Sequence, residues 1–530
     1  MADKLFGENT FKANILESLT TGMYYDSKVI YREYIQNACD SIDTAVSNGV
    51  FKSIKDGSIE IWIDLPNRTI TIEDNGAGIS ESGFKEMLTT IGGSSKQYDI
   101  NKGFRGMGRL CGLGYCTKLV FTSSAKGEDV ENVLTCDAAK MREMINEHIT
   151  HKKDYTAVEV LNETTNILSH QTKDVNSHFF KVELIGISQS NKDLLEKELV
   201  KDYLSFVAPV PYRNTFTPRQ SIYSHAKMLG FAIEEYSIRF EGEQIYKEYK
   251  PTVITSKGED TITNVDFFAF RDDDGKLIAW LWFGITKFQA VLKKECKERG
   301  IRLRKENIQI GNDDALQKLF TEDRGQYYFV GEVFTIDREL IPNSQRNYFN
   351  ENDARTEFER LLKRFFNDTL SRIYKDGSTV NAAIADINKA NKLAEQIAET
   401  QAKGAKADPK LHEQFENARQ KAEKKQKDLQ KITEQIATKI DSGEFQPADA
   451  VIHNIITQVF QPSIPSSYPG SELPKPSHPS SLSKPVSSPV LIIAKPQRMV
   501  ALDKVKEIIR SIASQELAAL LIDKIEEEAQ

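Results

Sequence analysis

Three polar side chains that could handle a metal-bound phosphate recur at helical spacing near the start of the chain. Residues 31–43 read Y-R-E-Y-I-Q-N-A-C-D-S-I-D, and Glu33, Asn37 and Asp40 lie about a turn apart on one face of the predicted helix. A carboxylate such as Glu33 can orient a water, and the Asn37 amide oxygen suits Mg²⁺, which prefers oxygen ligands. Taken alone, the pattern is more typical of the solvated face of an amphipathic helix.

The elements that must position these side chains are predicted from periodicity. The other face of the helix is an apolar stripe formed by Ile35, Ala38, Cys39 and Ile42. The alternating segments 59–65 and 69–73 predict a β-hairpin that runs directly into Asp74 and the sequence D-N-G-A-G-I. An acceptor followed by Gly-x-Gly lets a flat ligand approach the backbone closely. Residues 103–110 read G-F-R-G-M-G-R-L, where glycine N–H groups can face an anion at the start of a helix.

The order and spacing of these motifs resemble the GHKL ATPases, the superfamily of gyrase B, the heat-shock protein 90 chaperones, histidine kinases and MutL. The predicted helix resembles the N-box, D-N-G-A-G-I the first glycine box, and G-F-R-G-M-G the second. The chain lacks G-x-x-x-x-G-K-[ST], so it is not a P-loop enzyme. The resemblance implies a two-layer α/β sandwich of the Bergerat type that binds ATP and Mg²⁺ and hydrolyses ATP to ADP and phosphate.

The resemblance also implies a role for each matching residue. Glu33 resembles the general base that orients the attacking water, Asn37 the Mg²⁺ ligand, and Asp74 the acid that accepts from the adenine amino group. Residues 90–96 (T-I-G-G-S-S-K) resemble the start of the ATP lid, a loop that must move and meet phosphate. The other nucleotide-binding candidates are Asp40, Gly76, Gly78, Lys96, Gly103, Gly106, Met107 and Gly108.

One feature departs from the family pattern. Many members end this domain with Gly-Thr before a strand, and the threonine supports the adenine-site acid. Here the predicted strand 179–186 follows Ser177 and His178, with no Gly-Thr. How Asp74 is held therefore stays open, and His178 receives no role, since such a histidine is more often a plain surface or core residue.

A second catalytic candidate comes from a resemblance further along the chain. Residues 300–346 are similar in motif order to the middle domain of the heat-shock protein 90 chaperones, where an L-P-x-N-x-S-R loop carries an arginine that reaches the γ-phosphate. The loop here reads I-P-N-S-Q-R, so Arg346 is the candidate and Arg338 the weaker alternative. A guanidinium at this place would neutralise charge on the transferring phosphoryl group. An ordinary loop arginine in an ion pair is the competing interpretation.

Composition narrows the class of protein. The chain has 530 residues and a net charge of −7, which is long enough for two or more domains and gives no overall basic character for nucleic acid. We find no secretory signal and no apolar run of membrane-spanning length. Five scattered cysteines without C-x-x-C spacing predict reduced thiols in a cytoplasmic protein. A basic cluster at residues 293–305 is interrupted by glutamates, which favours a solvated helix face over a nucleic-acid contact.

Composition and periodicity divide the chain into five parts. We predict a GHKL ATP-binding domain over residues 1–208, a chaperone-like α/β middle domain over 209–376 and a helical hairpin or coiled coil over 377–460. A Pro/Ser-rich linker (461–499), with nine of the 17 prolines, and a C-terminal amphipathic helix (500–530) follow. The predicted fold class is thus α+β with a helical C-terminal region. The last helix cannot bury its apolar stripe alone, so we expect it to dock on a partner or on its own copy.

These features favour an ATP-operated conformational switch resembling the heat-shock protein 90 chaperones, acting as a homodimer on protein clients or a partner protein, without membrane association. The alternative is a nucleic-acid-associated clamp of the MutL, type II topoisomerase or MORC kind. The net charge and the 341–346 loop argue against that clamp, and the 293–305 cluster argues for it. A histidine kinase is disfavoured because no phosphoacceptor helix precedes the ATPase motifs. A scaffold that binds ATP without turnover is disfavoured by the presence of Glu33.

Overall fold

The computed structural model describes residues 11–20, 26–92, 108–172, 174–403 and 408–442, with positions 449, 452, 453 and 456. All of them belong to one unit, Met1–Tyr468. They form a mixed α+β structure, which confirms the predicted fold class. The predicted linker and the predicted C-terminal helix lie outside the described residues. Within the described part of the chain, no helix is long and apolar enough to cross a membrane.

An eight-stranded sheet organises the N-terminal part of the protein. Its strands are β1 (Ser58–Asp64), β2 (Thr69–Asp74), β3 (Lys118–Ser124), β4 (Val130–Asp137), β5 (Thr165–Gln171), β6 (Phe179–Ile185), β7 (Ser237–Phe240) and β8 (Glu243–Gln244). They lie in the order β5-β4-β3-β6-β2-β1-β7-β8. All neighbours are antiparallel except β1 and β7, which pair in parallel. The sheet therefore continues beyond residue 208, where the sequence places the domain boundary.

The described residues of this part form six α-helices: α1 (Asn14–Thr20), α2 (Val29–Ser47), α3 (Glu81–Thr89), α4 (Ala138–Ile149), α5 (Ala157–Thr164) and α6 (Lys197–Val207). Helix α2 packs on β1, β2 and β6. Its predicted apolar stripe is at most 2% exposed, and truncating one such buried isoleucine to alanine costs about 2–5 kcal/mol. No glycine or proline interrupts α2, and Gly49, at φ 71°, follows its end. This packing fixes which face of α2 is left for polar side chains.

A second sheet follows, after helix α7 (Arg219–Met228) and the hairpin of β9 (Thr252–Thr255) and β10 (Gly258–Thr261). Its strands are β11 (Asn264–Arg271), β12 (Leu277–Ile285), β13 (Gly300–Lys305), β14 (Ile308–Ile310) and β15 (Val330–Thr335), in the order β11-β12-β15-β13-β14. Successive residues of β12 enter opposite cores, with Leu281 and Phe283 on one face and Trp280 and Trp282 on the other. Both faces of this sheet are therefore covered.

Three long helices complete the described chain: α8 (Asp353–Phe365), α9 (Ser371–Ala402) and α10 (Pro409–Ser442). One π turn, Phe366–Leu370, joins α8 to α9. Early α9 residues pack near late α10 residues, as Val380 and Ile436 do in the core beneath the second sheet. Further out, Ile387 and Ala390 meet Ala418 and Ala422. The two helices thus pack antiparallel to each other, with alanines allowing close approach.

Candidate active site

The polar face of α2 is largely withdrawn from solvent. Glu33 is 6% exposed and Asp40 is 1% exposed, while Asn37 between them is partly exposed. A solvated helix face would leave all three side chains in water. The interpretation as a solvated face therefore does not hold for Glu33 and Asp40. Buried carboxylates need compensating partners, and the partner of Glu33 comes from a distant segment.

Glu33 forms an ion pair with Arg346. Nε of Arg346 lies 3.0 Å from Oε1 of Glu33, and each side chain is 8% exposed. The attraction is one of charge, because no described donor makes an aligned hydrogen bond to Oε1. The two residues that the sequence nominates for catalysis are thus in contact, although one lies on α2 and the other follows the second sheet.

Arg32 binds the same loop and was missed by sequence reasoning. Its guanidinium donates to the Gln345 carbonyl at 3.1 Å and to the Arg346 carbonyl at 3.5 Å. Arg32 is 5% exposed, an unusual burial for a lone arginine. The available signal was its place directly before Glu33 in the N-box. The two arginines therefore act on the same contact, since Arg32 binds the backbone of residues 345–346 and the Arg346 side chain pairs with Glu33.

The loop that presents Arg346 has a constrained backbone. Arg346 adopts φ 53°, a left-handed conformation that costs a non-glycine residue about 1–2 kcal/mol. Its N–H donates to the Asn343 carbonyl at 3.0 Å, and its carbonyl accepts from the Gly311 N–H at 2.9 Å. A Cβ on Gly311 would lie 2.6 Å from the Asn347 carbonyl oxygen. The end of β14 therefore fits closely against this loop and supports its conformation.

The first glycine box lies beside the C-terminal half of α2. Asp74 is 2% exposed at the end of β2, and its Oδ1 accepts from the Gly76 N–H at 2.9 Å. The Ala77 N–H donates to the carbonyl of Ser41 on α2 at 3.0 Å. Gly78 adopts φ 65°, and a Cβ there would lie 2.0 Å from the Ser124 carbonyl oxygen. Only glycine fits this position, which brings the loop directly onto the end of β3.

His178 lies in this site too. Its Nδ1 is 2.7 Å from the carbonyl oxygen of Gly76, and its ring meets Phe51 edge-on with centroids 5.5 Å apart. A carbonyl can only accept, so Nδ1 carries the hydrogen. The residue to which the sequence assigned no role therefore contacts the loop that holds Asp74.

The two groups of residues lie at different heights along α2. Glu33 is in the first half of the helix, and Ser41, against the first glycine box, is in the second half. Eight residues of helix separate them, about 12 Å along the axis. The helix thus separates the predicted adenine site around Asp74 from Glu33 and Arg346 by a length that a nucleoside triphosphate can span.

Comparison with known proteins supports the assignment of this region to the GHKL ATPases. The family model described as histidine kinase-, DNA gyrase B- and HSP90-like ATPase matches residues 25–172. Residues 25–172 form a GHKL ATPase domain. The chaperone protein HtpG of Campylobacter jejuni subsp. jejuni strain 81-176 is 28% identical over 141 residues, which is 23% of this chain and 23% of that protein. HtpG of Legionella pneumophila strain Lens is 35% identical over 101 residues, 18% of this chain and 16% of that protein. The match thus spans about a quarter of these relatives or less.

Gly108 is the first residue of the second glycine box that the structure describes. A Cβ there would lie 2.3 Å from Oε2 of Glu33, so only glycine allows this approach. The 3-10 helix Gly108–Gly114 follows, where the sequence predicts the start of a helix. Tyr34 on α2 ties it down, because its hydroxyl donates to the Arg109 carbonyl at 3.0 Å and accepts from the Gly112 N–H at 3.1 Å. Four candidates, Lys96, Gly103, Gly106 and Met107, lie outside the described residues.

The cysteine nearest this site is not poised for chemistry. Cys111 is fully buried. Burial raises the pKa of its thiol well above the usual value, and the Glu33 carboxylate raises it further. The thiol therefore stays protonated and is a poor nucleophile. All five cysteines are buried thiols that form no disulfide within the described residues.

The donor set suits Mg²⁺ held mainly by substrate. Among the described residues, no group of three or more His, Cys, Asp or Glu could hold a metal ion. Asn37 offers one partly exposed amide oxygen, and Mg²⁺ commonly takes few protein ligands together with substrate phosphates. Gln36, next to Asn37, is 1% exposed and its Oε1 lacks a hydrogen-bond partner in the described part. These residues fit a phosphate-bound Mg²⁺ and do not fit a self-sufficient metal cage.

The basic cluster at residues 293–305 is not a surface helix, which corrects the sequence interpretation. Its second half is β13, where Arg302 is 6% and Arg304 0% exposed. The Arg304 guanidinium pairs with Glu332 and donates to the carbonyl of Phe206, the penultimate residue of α6, at 2.8 Å. Arg302 lies over the Phe206 ring at 4.2 Å. The charges that suggested nucleic acid are thus used to join the second sheet to α6.

Glu332 is the centre of that buried network. It is 0% exposed and accepts from Tyr249 at 3.0 Å and Trp282 at 3.1 Å, with Lys247 at 3.3 Å. Burial acts to raise the pKa of Glu332, but the Arg304 and Lys247 cations outweigh it and lower the pKa to about 2. The carboxylate is therefore ionised at neutral pH and compensates both buried cations.

Proposed function

We propose that this protein binds and hydrolyses ATP and uses the nucleotide state to switch its conformation, acting on protein clients or a partner protein as a homodimer, in the manner of the heat-shock protein 90 chaperones. The observation that carries the proposal is the ion pair between Glu33 of the GHKL domain and Arg346 of the following domain. Through this ion pair, the predicted general base of the first domain is in direct contact with a loop of the second domain.

The binding end of the mechanism is the first glycine box. Asp74 accepts from the adenine amino group. Gly78 lets the loop beside Asp74 pack directly on the end of β3, because no side chain fits there. The second glycine box receives the phosphates. Mg²⁺ bound to Asn37 and the phosphates would neutralise negative charge on the triphosphate. These assignments follow the family resemblance and agree with the burial and spacing along α2.

The hydrolytic end is the Glu33–Arg346 pair. In the absence of nucleotide, the guanidinium compensates the buried carboxylate. An incoming γ-phosphate carries more negative charge and competes for Arg346, which then stabilises the transferring phosphoryl group. Glu33, released from the pair, orients the attacking water. Arg32 of the first domain also binds the backbone of the Arg346 loop. The exchange of partners at Arg346 therefore changes the contact between the two domains.

The nucleic-acid clamp loses its main support. The feature that favoured it was the 293–305 cluster, and Arg302 and Arg304 are buried in internal contacts. Lys297 is paired with Asp202. Arg299 lies 3.7 Å from Asp313, and Lys305 donates to the Asp337 carbonyl at 2.7 Å. Lys293 and Lys294 are exposed beside a glutamate, which is too little charge for a phosphate-binding surface. We therefore favour a protein client or partner.

The deciding experiment measures steady-state phosphate release by the full chain and by Glu33→Gln, with ATP affinity from calorimetry. We expect turnover to fall at least a hundredfold, the lower range for loss of a general base, with ATP affinity within threefold. Mass photometry with ATP should show the variant as a dimer. Glu73→Gln, an exposed acid on β2, is the matched control and should behave as wild type. Wild-type protein that binds no ATP, or unchanged turnover in Glu33→Gln, contradicts the proposal.

A further inference from the structure

Gly76 is held from both sides of its backbone. Its N–H donates to Oδ1 of Asp74 at 2.9 Å, and its carbonyl oxygen accepts from Nδ1 of His178 at 2.7 Å. Glycine can adopt far more backbone conformations than other residues. Without both bonds, nothing in its own chemistry would keep the N–H directed at Asp74.

The surroundings of Gly76 leave no room for a side chain. A Cβ would lie 2.3 Å from Oγ of Ser41 and 2.7 Å from Oδ1 of Asp74. The glycine is therefore enclosed between α2 and the carboxylate, and the His178 bond acts on a peptide that is already in contact with its target. A small rotation of this peptide would move the hydrogen bond to Asp74.

His178 is itself fixed. It stands two residues before Phe180, which is the partner of Asp74 in the β2–β6 ladder. Its ring packs edge-on against Phe51, in the loop that follows α2. The sheet register and this ring contact together set the position of Nδ1. Nδ1 donates in this bond, because the Gly76 carbonyl can only accept.

We propose that His178 is the positioning residue for Asp74, acting through the Gly76 peptide to set the orientation in which Asp74 recognises the adenine base. It would supply the support that the missing Gly-Thr provides in related ATPases. The inference rests on the proposed ATP binding. His178 makes no contact with the nucleotide in this scheme. It acts through Asp74 on affinity and base selectivity, and the hydrolytic step is left to Glu33 and Arg346.

The test compares two amides of the full chain. His178→Asn places a side-chain N–H near the position of Nδ1, whereas His178→Gln places it near Nε2. We expect His178→Asn to bind ATP within threefold of wild type and His178→Gln to bind about tenfold more weakly, equivalent to about 1.4 kcal/mol. The ratio of ATP to GTP affinity should fall in His178→Gln, because the contacts to the phosphates are unchanged. The rate at saturating ATP should stay within twofold in both variants.

The outcomes separate this inference from the proposed function. Wild-type protein that fails to bind ATP overturns both. Normal ATP binding by wild type that is lost in Asp74→Asn, together with equal affinity and selectivity in His178→Asn and His178→Gln, overturns the role of His178 alone. His170→Gln, at an exposed position on β5, controls for the substitution itself. Thermal melting of every variant checks that the domain remains folded.

Discussion

Arg346→Met removes the guanidinium from the Glu33 ion pair and keeps most of the side-chain volume. Two charges 3.0 Å apart at an effective dielectric constant of about 20 attract each other by about 5.5 kcal/mol. Desolvation offsets part of this attraction. Removing one partner of a buried pair nevertheless costs about 3–5 kcal/mol, because the remaining charge is left uncompensated. In this variant the remaining charge is Glu33.

The effect on turnover should be larger than the effect on binding. Arginine residues that act on a transferring phosphoryl group contribute about 10³–10⁵ in rate. We expect Arg346→Met to lower the rate at saturating ATP by at least a hundredfold. Its ATP affinity should stay within threefold, since Asp74 and Gly78 lie toward the other end of α2. Steady-state phosphate release and calorimetry measure the two quantities separately.

A double-mutant cycle with Glu33→Gln isolates the pair itself. Glu33→Gln removes the charge that Arg346→Met leaves uncompensated, so the double variant should be more stable than the sum of the single changes predicts, by about 1–3 kcal/mol. The measurement is the free energy of unfolding of the nucleotide-free protein. In turnover, the double variant should be no slower than Glu33→Gln alone, because both residues serve one step.

Two results together would refute this reasoning. One is a coupling energy below about 0.5 kcal/mol, the level expected for independent sites. The other is turnover of Arg346→Met within threefold of wild type. Arg338→Met is the matched control, since Arg338 is an exposed arginine in the same domain and should leave turnover unchanged.

Two further predictions concern the contacts that join the domains. Arg32→Met loses the bonds to the Gln345 and Arg346 carbonyls and should slow turnover about tenfold or more with ATP affinity within threefold; a wild-type rate in phosphate release would contradict it. Glu332→Gln leaves Arg304 and Lys247 buried without a counter-charge and should destabilise the second sheet by about 3–5 kcal/mol, read from the fluorescence of Trp282, which donates to Glu332. Because the pKa of folded Glu332 lies at about 2, below its unfolded value, its stabilisation is present above about pH 4.5 and is lost as the pH falls toward 2. The difference between wild type and Glu332→Gln should therefore shrink as the pH falls below about 4.5, and a difference that stays constant down to pH 2 would contradict the assignment.

Elements with a strong local period were predictable. The helix containing Glu33 and the hairpin ending at Asp74 follow from side-chain spacing, and both form close to the predicted positions. The 293–305 cluster was interpreted wrongly, because its arginines were read as a solvated helix face. Arg302 and Arg304 lie on β13, and the charge of Arg304 is compensated by Glu332, 28 residues further along the chain. Alternation alone does not reveal that a charged residue will find a buried counter-charge.

The sequence by itself determined which residue types stand at which spacing. Together with the resemblance to the GHKL ATPases in motif order, that was enough to nominate Glu33, Asn37, Asp74 and the glycine boxes. Only the tertiary structure decided that Arg346 meets Glu33, that Arg32 grips the same loop, and that β7 extends the sheet past residue 208. Such contacts depend on how segments hundreds of residues apart pack together, and the local periodicity of the sequence does not predict that packing. The support of Asp74 by Gly76, with His178 behind it, belongs to the same class, because it arises where the ends of two neighbouring strands meet the loop after α2.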